Sequence, residues 1–228
     1  MKLLIVTQRV DKDDPVLGFF HEWVQEFSSH CEKVTVVCLG TGDYSFPPNV
    51  KVLSLGKERG ASKLEYLVNF YRYVLRVDYT HVFVHMNQEY VLLAGDLWRL
   101  MGKKVALWRN HPDGSLLTNL AVALAHKVFC TSPSSYTSQF KKTKIMPAGI
   151  DVDSYEESKT DLSTQGKVLF FGRLSSVKNV HVFIEALKIL DERGIVFHAD
   201  IIGSPTDEIG VAYEKELHIQ GTKLTERG

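Results

Sequence analysis

The sequence predicts an α/β fold, with a doubly wound parallel sheet in the N-terminal part and a second, smaller α/β unit after it. Short runs rich in Val and Leu recur along the first 130 residues, which is typical of strands buried on both faces of a parallel sheet. Amphipathic helical patterns separate these runs, as alternating strands and helices require. The alternation restarts after a polar stretch at residues 153–166, which indicates a second unit.

The composition is that of a soluble globular protein without a charge bias. The 228 residues include 27 Lys plus Arg and 27 Asp plus Glu, so the chain has no general attraction for polyanions and we expect no nucleic-acid partner. No apolar run reaches the ~20 residues of a membrane span. The first ten residues are better explained as a buried strand than as a signal peptide. The three cysteines lack C-x-x-C spacing, and we expect buried thiols in a reducing cytoplasm.

The N-terminal domain is expected to span residues 1–150. Its predicted strands are the apolar runs Leu3–Val6, Val34–Leu39, Val52–Leu55, Val82–Val84, Val105–Trp108 and Val128–Cys130. Its predicted helices are Phe19–Ser29, Lys63–Val77, Tyr90–Met101, Leu116–Ala125 and Ser134–Phe140. In a doubly wound sheet, ligands bind at the carboxyl ends of the strands, so we expect a ligand site in the loops at that edge.

The second unit is expected at residues 167–228, after a connection at 151–166. Its predicted elements are a strand at Val168–Phe171, a helix at Val180–Glu192, a strand at Phe197–Ile202 and a helix near Glu208–Leu217. Two strands and two helices bury little core by themselves. The pattern therefore predicts the first part of an incomplete domain.

A candidate diphosphate site opens this second unit, in the segment KVLFFGRLSSVKN at residues 167–179. The strand ends at Gly172-Arg173, and Lys178 precedes an amphipathic helix. The free N–H groups of a helix N-terminus attract an anion, and an Arg guanidinium can grip two phosphate oxygens. By spacing alone, the same residues fit equally well an ordinary strand-to-helix loop with solvated charges.

Three short motifs occur in the order found in the family-4 retaining glycosyltransferases of the GT-B fold, which this sequence resembles. The first comprises Pro147, Gly149, Ile150, Asp151 and Tyr155; the second comprises Gly172, Arg173, Lys178 and Asn179; the third comprises Ile201, Ile202 and Gly203. The resemblance implies a Rossmann-like acceptor domain followed by a Rossmann-like nucleotide-sugar domain. The family's E-x₇-E element is not matched, so the resemblance covers only the first half of that second domain.

The resemblance implies roles for residues at several strand ends. Arg173 and Lys178 would neutralise the leaving diphosphate, and His111 would lie beside the transferred sugar as a third catalytic residue. Further donor and phosphate contacts are expected from Gly18, Gly149, Asp151, Gly172 and Asn179. The possible acceptor cleft is expected to include His85 and Asn87.

The activity implied is the transfer of a sugar, with retention, from a nucleoside-diphosphate sugar to a hydroxyl acceptor in glycan, polysaccharide or glycolipid synthesis. The resemblance implies a hexosyltransferase-like enzyme that needs no metal or other cofactor. It further implies a cytoplasmic protein, compatible with peripheral contact at the inner face of a membrane. Because the second domain is incomplete, we expect weak turnover or none, and association through that domain is an open possibility.

Other functions remain open from the sequence. A non-catalytic nucleotide-sugar-binding protein would keep Arg173 and Lys178 without transferring sugar, whereas a partner subunit derived from such an enzyme would tolerate their loss. A nucleotide-sugar epimerase would need acid and base carboxylates that the pattern does not identify. The acidic residues Asp11, Asp13 and Asp14 invite comparison with a metal-binding D-x-D motif, but we expect a solvated loop there. No histidines cluster at metal-ligand spacing.

Overall fold

The computed structural model of the chain describes residues 1–149, 152 and 166–225. The chain separates into two compact units, Met1–Tyr155 and Glu156–Gly228. Each unit has its own parallel sheet and its own hydrophobic core. In the described part of the chain, no helix combines the length and the apolar character that crossing a membrane requires.

The first unit is built on seven parallel strands in the order β3-β2-β1-β4-β5-β6-β7. Their bounds are β1 Lys2–Val10, β2 Lys33–Thr41, β3 Val50–Ser54, β4 His81–His85, β5 Lys104–Trp108, β6 Lys127–Cys130 and β7 Thr143–Ile145. The strand order reverses between β1 and β4, which are neighbours in the sheet. At such a switch point the connections after the two strands diverge and leave a crevice at the carboxyl edge.

Two hydrophobic cores lie on opposite faces of this sheet, because successive side chains of a strand point to opposite sides. Along β1, Leu3 and Ile5 belong to one core, and Leu4 and Val6 belong to the other. Helix α1 covers the first face, and three further helices cover the second. The helices have the bounds α1 Phe19–His30, α2 Lys63–Arg76, α3 Gln88–Leu100 and α4 Leu116–Leu124.

The helix N-termini in the first unit are not all capped alike. Ser62 and Ser115 each cap a helix, α2 and α4, in a capping box that uses the side chain three residues further on. Asn87 is the N-cap residue of α3, and its side chain makes no capping hydrogen bond with the described residues. The first turn of α3 therefore presents backbone N–H groups at the carboxyl end of β4.

The second unit contains the predicted pair of strands and the predicted pair of helices. Strand β8 (Lys167–Phe171) pairs in parallel with β9 (His198–Ile202). Helices α5 (Val180–Glu192) and α6 (Glu208–Thr225) contribute most of a small core, which consists of Leu174, Val180, Ile184 and Leu217.

The predicted helices of the first unit are confirmed, with one exception. The segment Ser134–Phe140 forms only a 3-10 turn at Tyr136–Gln139. Its polar side chains compete with helical hydrogen bonds: the Thr137 hydroxyl, for example, donates to the carbonyl of Arg109 at 3.1 Å. The six predicted strands are also confirmed, and the three-residue β7 was not predicted. Cys31, Cys38 and Cys130 are buried free thiols, as expected.

Candidate functional site

A cleft of about 500 Å³ lies at the switch point of the first sheet. Strand β1 pairs with β2 as far as Val10, but it pairs with β4 only as far as Val6. The last residues of β1 therefore project beyond β4 and form one wall of the cleft. Charged and polar groups reach it from the ends of three strands: Arg9, Asp14, Lys57, Glu58, His85 and Asn87.

The loop after β1 is organised by an ion-pair network. Arg9 Nη2 lies 2.7 Å from Asp11 Oδ2, and Arg9 Nε lies 3.0 Å from Asp14 Oδ2. Hydrogen bonding to Arg9 is the main reason that the pKa of Asp11 lies below its ordinary value. The other oxygen of Asp14 accepts hydrogen bonds from the backbone N–H groups of Val16 and Leu17.

The expectation of a solvated acidic loop is wrong for two of its three carboxylates. Asp11 is 9% exposed, and the carboxylate of Asp14 holds the backbone turn that leads into α1. Both are used to build the loop. Among the described residues, no group of three or more His, Cys, Asp or Glu side chains could hold a metal ion.

Two glycines allow this loop to pack closely. A Cβ on Gly42 would overlap the Asp11 carboxylate, and a Cβ on Gly18 would lie 2.7 Å from the carbonyl oxygen of Asp14. The N–H of Gly18 donates to that same oxygen at 2.9 Å. Gly18 is thus required by the loop itself, and its contact with a donor phosphate stays a prediction.

Glu58 stands on a 3-10 turn, Lys57–Arg59, which follows β3. Its Oε2 accepts hydrogen bonds from the Ser54 hydroxyl at 2.7 Å and from the Thr41 N–H at 3.3 Å. Burial alone would raise the pKa of Glu58, but these hydrogen bonds hold it below the ordinary value. The side chain is therefore a fixed carboxylate at neutral pH.

His85 ends β4 and is almost fully buried, with 2% of its surface exposed. Its ring stacks on Phe20 with a centroid separation of 3.9 Å. Its Nδ1 lies 3.1 Å from the Thr7 hydroxyl. Burial lowers the pKa of His85 to about 4, so the imidazole is neutral near pH 7. The cleft contains it as a hydrogen-bonding group without charge.

The next residue, Met86, has an unusual backbone conformation. Its φ is +65°, one of only two positive values among the described non-glycine residues. The N–H of Asn87 donates to the carbonyl of His85 at 2.8 Å, and the N–H of Met86 donates to the carbonyl of Trp108 at 2.7 Å. A three-residue turn of this kind is strained. It places Met86 and Asn87 in the cleft, and no sequence pattern indicated it.

His111 follows β5 in a loop beside the switch point, and it is not among the described residues that line the cleft. Its Nδ1 accepts a hydrogen bond from the N–H of Asp113 at 3.0 Å. The loop rests on Tyr136, whose N–H donates to the His111 carbonyl, and a Cβ on Gly114 would overlap the Tyr136 ring. The structure therefore places His85 and Asn87 in one cleft, while the role of His111 stays a prediction.

Arg109 is a charged residue that was not predicted from the sequence as a site residue. It follows β5 directly, and burial lowers the pKa of its guanidinium. Its Nη1 is buried without a hydrogen-bond partner in the described part of the chain, and so is Oε1 of Gln88. Unsatisfied buried polar atoms are uncommon in native proteins. Arg109 directly follows β5, and Gln88 is the first residue of α3, so both lie at the carboxyl edge of the sheet.

In the second unit, the strand ends approach so closely that only glycine fits. A Cβ on Gly203 would overlap the carbonyl oxygen of Gly172. The N–H of Gly172 donates to the carbonyl of Ile202 at 3.0 Å, and its φ is +154°. This contact sets the direction of the loop that leaves β8.

The loop after β8 carries the predicted phosphate-binding residues. The side chains of Arg173 and Lys178 are both exposed, and neither forms an ion pair with a described carboxylate. Asn179 is left-handed, with a φ of +55°, and begins α5 without a side-chain capping bond among the described residues. In the first turn of α5, the N–H of His181 donates to the Tyr213 hydroxyl at 2.9 Å, and the N–H of Val182 donates to the carbonyl of Asn179 at 3.0 Å. The feature suited to an anion is therefore the pair of exposed cations in the loop before this helix.

The first sequence motif is only partly described. The carbonyl of Gly149 accepts a hydrogen bond from Trp23 Nε1 at 2.9 Å, and no atom of the described residues lies within 4 Å of where its Cβ would be. Asp151, Ile150 and Tyr155 lie outside the described residues.

Several solved structures are similar to this chain. Anabaena HepE (Alr3699), solved with UDP and glucose, is 18% identical with a TM-score of 0.66, over 99% of this chain and 67% of that one. Acinetobacter baumannii MurG is 12% identical with a TM-score of 0.51, over 93% and 69%. S. aureus MnaA, solved with UDP, is 10% identical with a TM-score of 0.53, over 95% and 65%.

A similarity in sequence is more limited in extent. Spore coat protein SA of Bacillus subtilis (strain 168) is 34% identical in an alignment of 112 residues that covers 40% of this chain and 28% of that protein. No protein-family profile matches the chain. The similar structures, together with the seven-stranded parallel sheet, confirm the predicted α/β fold class of the GT-B type.

Proposed function

We propose that this protein is a glycosyltransferase, which moves a sugar from a nucleoside-diphosphate sugar to a hydroxyl acceptor. The observation that carries the proposal is the loop between β8 and α5, where the side chains of Arg173 and Lys178 are both exposed and neither is paired with a described carboxylate. The presence of UDP in the HepE and MnaA structures supports it, since those proteins share this fold.

The chemistry of the transfer explains why these residue types are suited to it. As the bond between the sugar C1 and the diphosphate breaks, negative charge grows on the β-phosphate. Fixed cations and helix N–H groups aimed at that oxygen stabilise the transition state more than the ground state. Arg173 and Lys178 would supply the cations.

We extend the proposal to metal-independent transfer with retention. Arg173 and Lys178 would supply the positive charge that a metal ion supplies in other phosphate sites. On a front-face path, the leaving phosphate itself takes the acceptor proton, so no carboxylate pair is needed. The neutral His85 and the amide of Asn87 would then orient the acceptor, and His111 would contact the transferred sugar. The acceptor would belong to glycan, polysaccharide or glycolipid synthesis in the cytoplasm.

Calorimetric titration with UDP, GDP and ADP tests the proposal on the full chain. The wild type is expected to bind one of the three saturably, and the double variant Arg173→Ala/Lys178→Ala is expected to lose at least 10-fold in affinity. The matched control is Lys188→Ala, which removes a cation paired with Glu185 on α5 at 2.8 Å.

Two outcomes would contradict this proposal. Unchanged nucleotide affinity in the double variant would exclude the loop after β8 as the donor site. A folded wild type that binds none of the three nucleotides would exclude a donor site in this chain. A wild-type chain that binds nucleotide but transfers sugar to no acceptor would instead favour a non-catalytic nucleotide-sugar-binding protein.

A further inference from the structure

We propose that Arg109 is a positioning residue for His111: by binding the carbonyl of Asp113, it holds His111 in the tautomer that carries the proton on Nε2. The consequence for catalysis rests on the proposed function, in which His111 contacts the transferred sugar. The hydrogen bonds of the loop after β5 carry the proposal, and it does not depend on the donor loop of the second unit.

The loop that carries His111 is anchored through its main chain on the neighbouring elements. The N–H of Arg109 donates to the carbonyl of Phe129 on β6 at 2.9 Å, and the N–H of Tyr136 donates to the carbonyl of His111 at 2.9 Å. The Thr137 hydroxyl donates to the carbonyl of Arg109 at 3.1 Å. These bonds fix the backbone from Arg109 to His111, and the imidazole ring is oriented by other contacts.

Both main-chain polar atoms of Asp113 lie within hydrogen-bond distance of the imidazole. His111 Nδ1 is 3.0 Å from the Asp113 nitrogen and 3.2 Å from the Asp113 carbonyl oxygen. The Asp113 carboxylate is more distant, with Oδ2 at 3.9 Å. A neutral imidazole carries one proton, so Nδ1 either accepts from the N–H of Asp113 or donates to its carbonyl. These two bonds correspond to the two tautomers of His111.

The guanidinium of Arg109 decides between these tautomers. Its Nη2 donates to the carbonyl of Asp113 at 2.9 Å, so that carbonyl already has a charged donor, and bonds of this kind are the stronger ones. In the described part of the chain, the N–H of Asp113 has His111 Nδ1 as its acceptor. The Nε2–H tautomer therefore satisfies both atoms of Asp113, whereas the Nδ1–H tautomer would leave the N–H without this bond.

The Nε2–H tautomer gives His111 a defined hydrogen-bonding role. Because Nδ1 is turned towards Asp113, Nε2 is directed away from it, and 59% of the side-chain surface of His111 is exposed. The ring can then donate to an acceptor oxygen of a ligand, such as a sugar hydroxyl or a phosphate oxygen. The other tautomer would offer that oxygen only a lone pair.

The burial of Arg109 separates a positioning role from a structural one. Its Nη1 is buried without a partner among the described residues, and an unsatisfied buried donor destabilises a fold. Arg109→Met removes this donor and leaves an apolar chain in its place, so the urea midpoint of unfolding should stay the same or rise. If Arg109 were only structural, the midpoint would fall and the tautomer of His111 would not change.

The test measures the tautomer of His111 in the ¹⁵N-labelled full chain, from the chemical shifts of the two ring nitrogens at about pH 8.5, where histidines are ordinarily neutral. The His111 signals are identified by their loss in His111→Gln. The wild type is expected to carry the proton on Nε2. In Arg109→Met, the ratio of the Nε2–H to the Nδ1–H form should fall about 5-fold, which is the effect of one ordinary hydrogen bond.

Arg99→Met is the matched control. The guanidinium of Arg99 also donates to main-chain carbonyls, those of Ala123 and Leu124, in the same unit. Its removal should leave the tautomer ratio of His111 at the wild-type value. Arg109→Gln, whose amide is too short to replace the guanidinium, is a second test variant with the same expected change if the methionine variant does not fold.

Three outcomes would overturn the inference. The wild-type ring could carry its proton on Nδ1, the ratio could be unchanged in Arg109→Met, or Arg99→Met could change it equally. A UDP titration of the same samples reports separately on the signals of Lys178 and Asn179 in the second unit. Nucleotide binding without the Nε2–H tautomer would contradict only the role of Arg109, whereas the tautomer without nucleotide binding would contradict only the proposed function.

Discussion

The Nδ1 atom of His85 lies 3.1 Å from the hydroxyl of Thr7. This contact joins β4 to β1, the two neighbouring strands at which the strand order reverses. Phe20 stacks on the other side of the imidazole at 3.9 Å. The ring is thereby fixed in place and kept away from water. Protonation of the imidazole is opposed by the packing around it.

Acid should weaken the first unit through His85. The pKa of His85 is about 4 in the folded protein and about 6.5 when exposed, so the unfolded chain takes up the proton first. The contribution of His85 to the free energy of unfolding is therefore fully present above pH 6.5. It is lost as the pH falls from 6.5 to 4, and the loss amounts to about 3 kcal/mol. Urea unfolding between pH 4 and 8 measures it. In His85→Gln the slope over this window should flatten, and an unchanged slope would contradict the prediction.

Relief of the strained turn should be visible at Met86. Met86→Gly removes the Cβ from a residue with a φ of +65°, so the free energy of unfolding should be unchanged or rise by up to about 1 kcal/mol. Met101 is a matched control, because it is also partly exposed but has an ordinary φ of −78°. There glycine should destabilise by roughly 0.5–1 kcal/mol. Equal losses for both variants in thermal unfolding would argue against strain.

Close packing at Gly42 should make an added methyl group costly. Its Cβ would overlap the Asp11 carboxylate, which is buried and bound to Arg9. Gly42→Ala should therefore lower the free energy of unfolding by about 1–3 kcal/mol. Gly149→Ala, where no described atom lies within 4 Å of the new Cβ, should have a free energy of unfolding within about 0.5 kcal/mol of the wild type. Denaturant titration of the two variants decides the matter, and similar stabilities would mean that the loop after β1 adapts freely.

Removal of a donor-site cation should affect turnover far more than stability. Lys178 is exposed, so Lys178→Ala should leave the unfolding midpoint unchanged. It should lower the release of nucleoside diphosphate about 10²–10³-fold if the side chain stabilises the leaving group. Lys188→Ala, which lies within α5, should retain full turnover. Comparable rates in the two variants would remove Lys178 from the mechanism.

Much of the fold follows from local patterns. Valine-rich runs predicted the six longer strands because such strands are buried on both faces, and three- to four-residue spacing predicted α1 to α5. The strand β7 was missed because Thr143–Ile145 is too short to show a period. The helix expected at Ser134–Phe140 was wrong, since the side chains of Thr137 and its neighbours bond to distant backbone groups that no local pattern reveals.

The candidate site residues also differ in how far the sequence could predict them. Gly172, Arg173, Lys178 and Asn179 are close in sequence, and a strand followed by a helix brings them together in one loop, so the sequence could predict their grouping. The cleft of the first unit joins groups from the ends of β1, β3 and β4, which are far apart in sequence. Arg9, Glu58 and Met86 were therefore not identified as site residues.

From the sequence alone, the chain is predictable as an α/β protein with a buried parallel sheet in its first unit and a cationic loop before a helix in its second. These features depend on periodicity and on neighbours within about ten residues. Only the tertiary structure decided that Asp11 and Asp14 bind Arg9 and that His85 is neutral. Burial and the pairing of charges depend on which strand ends become neighbours, and that is a property of the folded sheet.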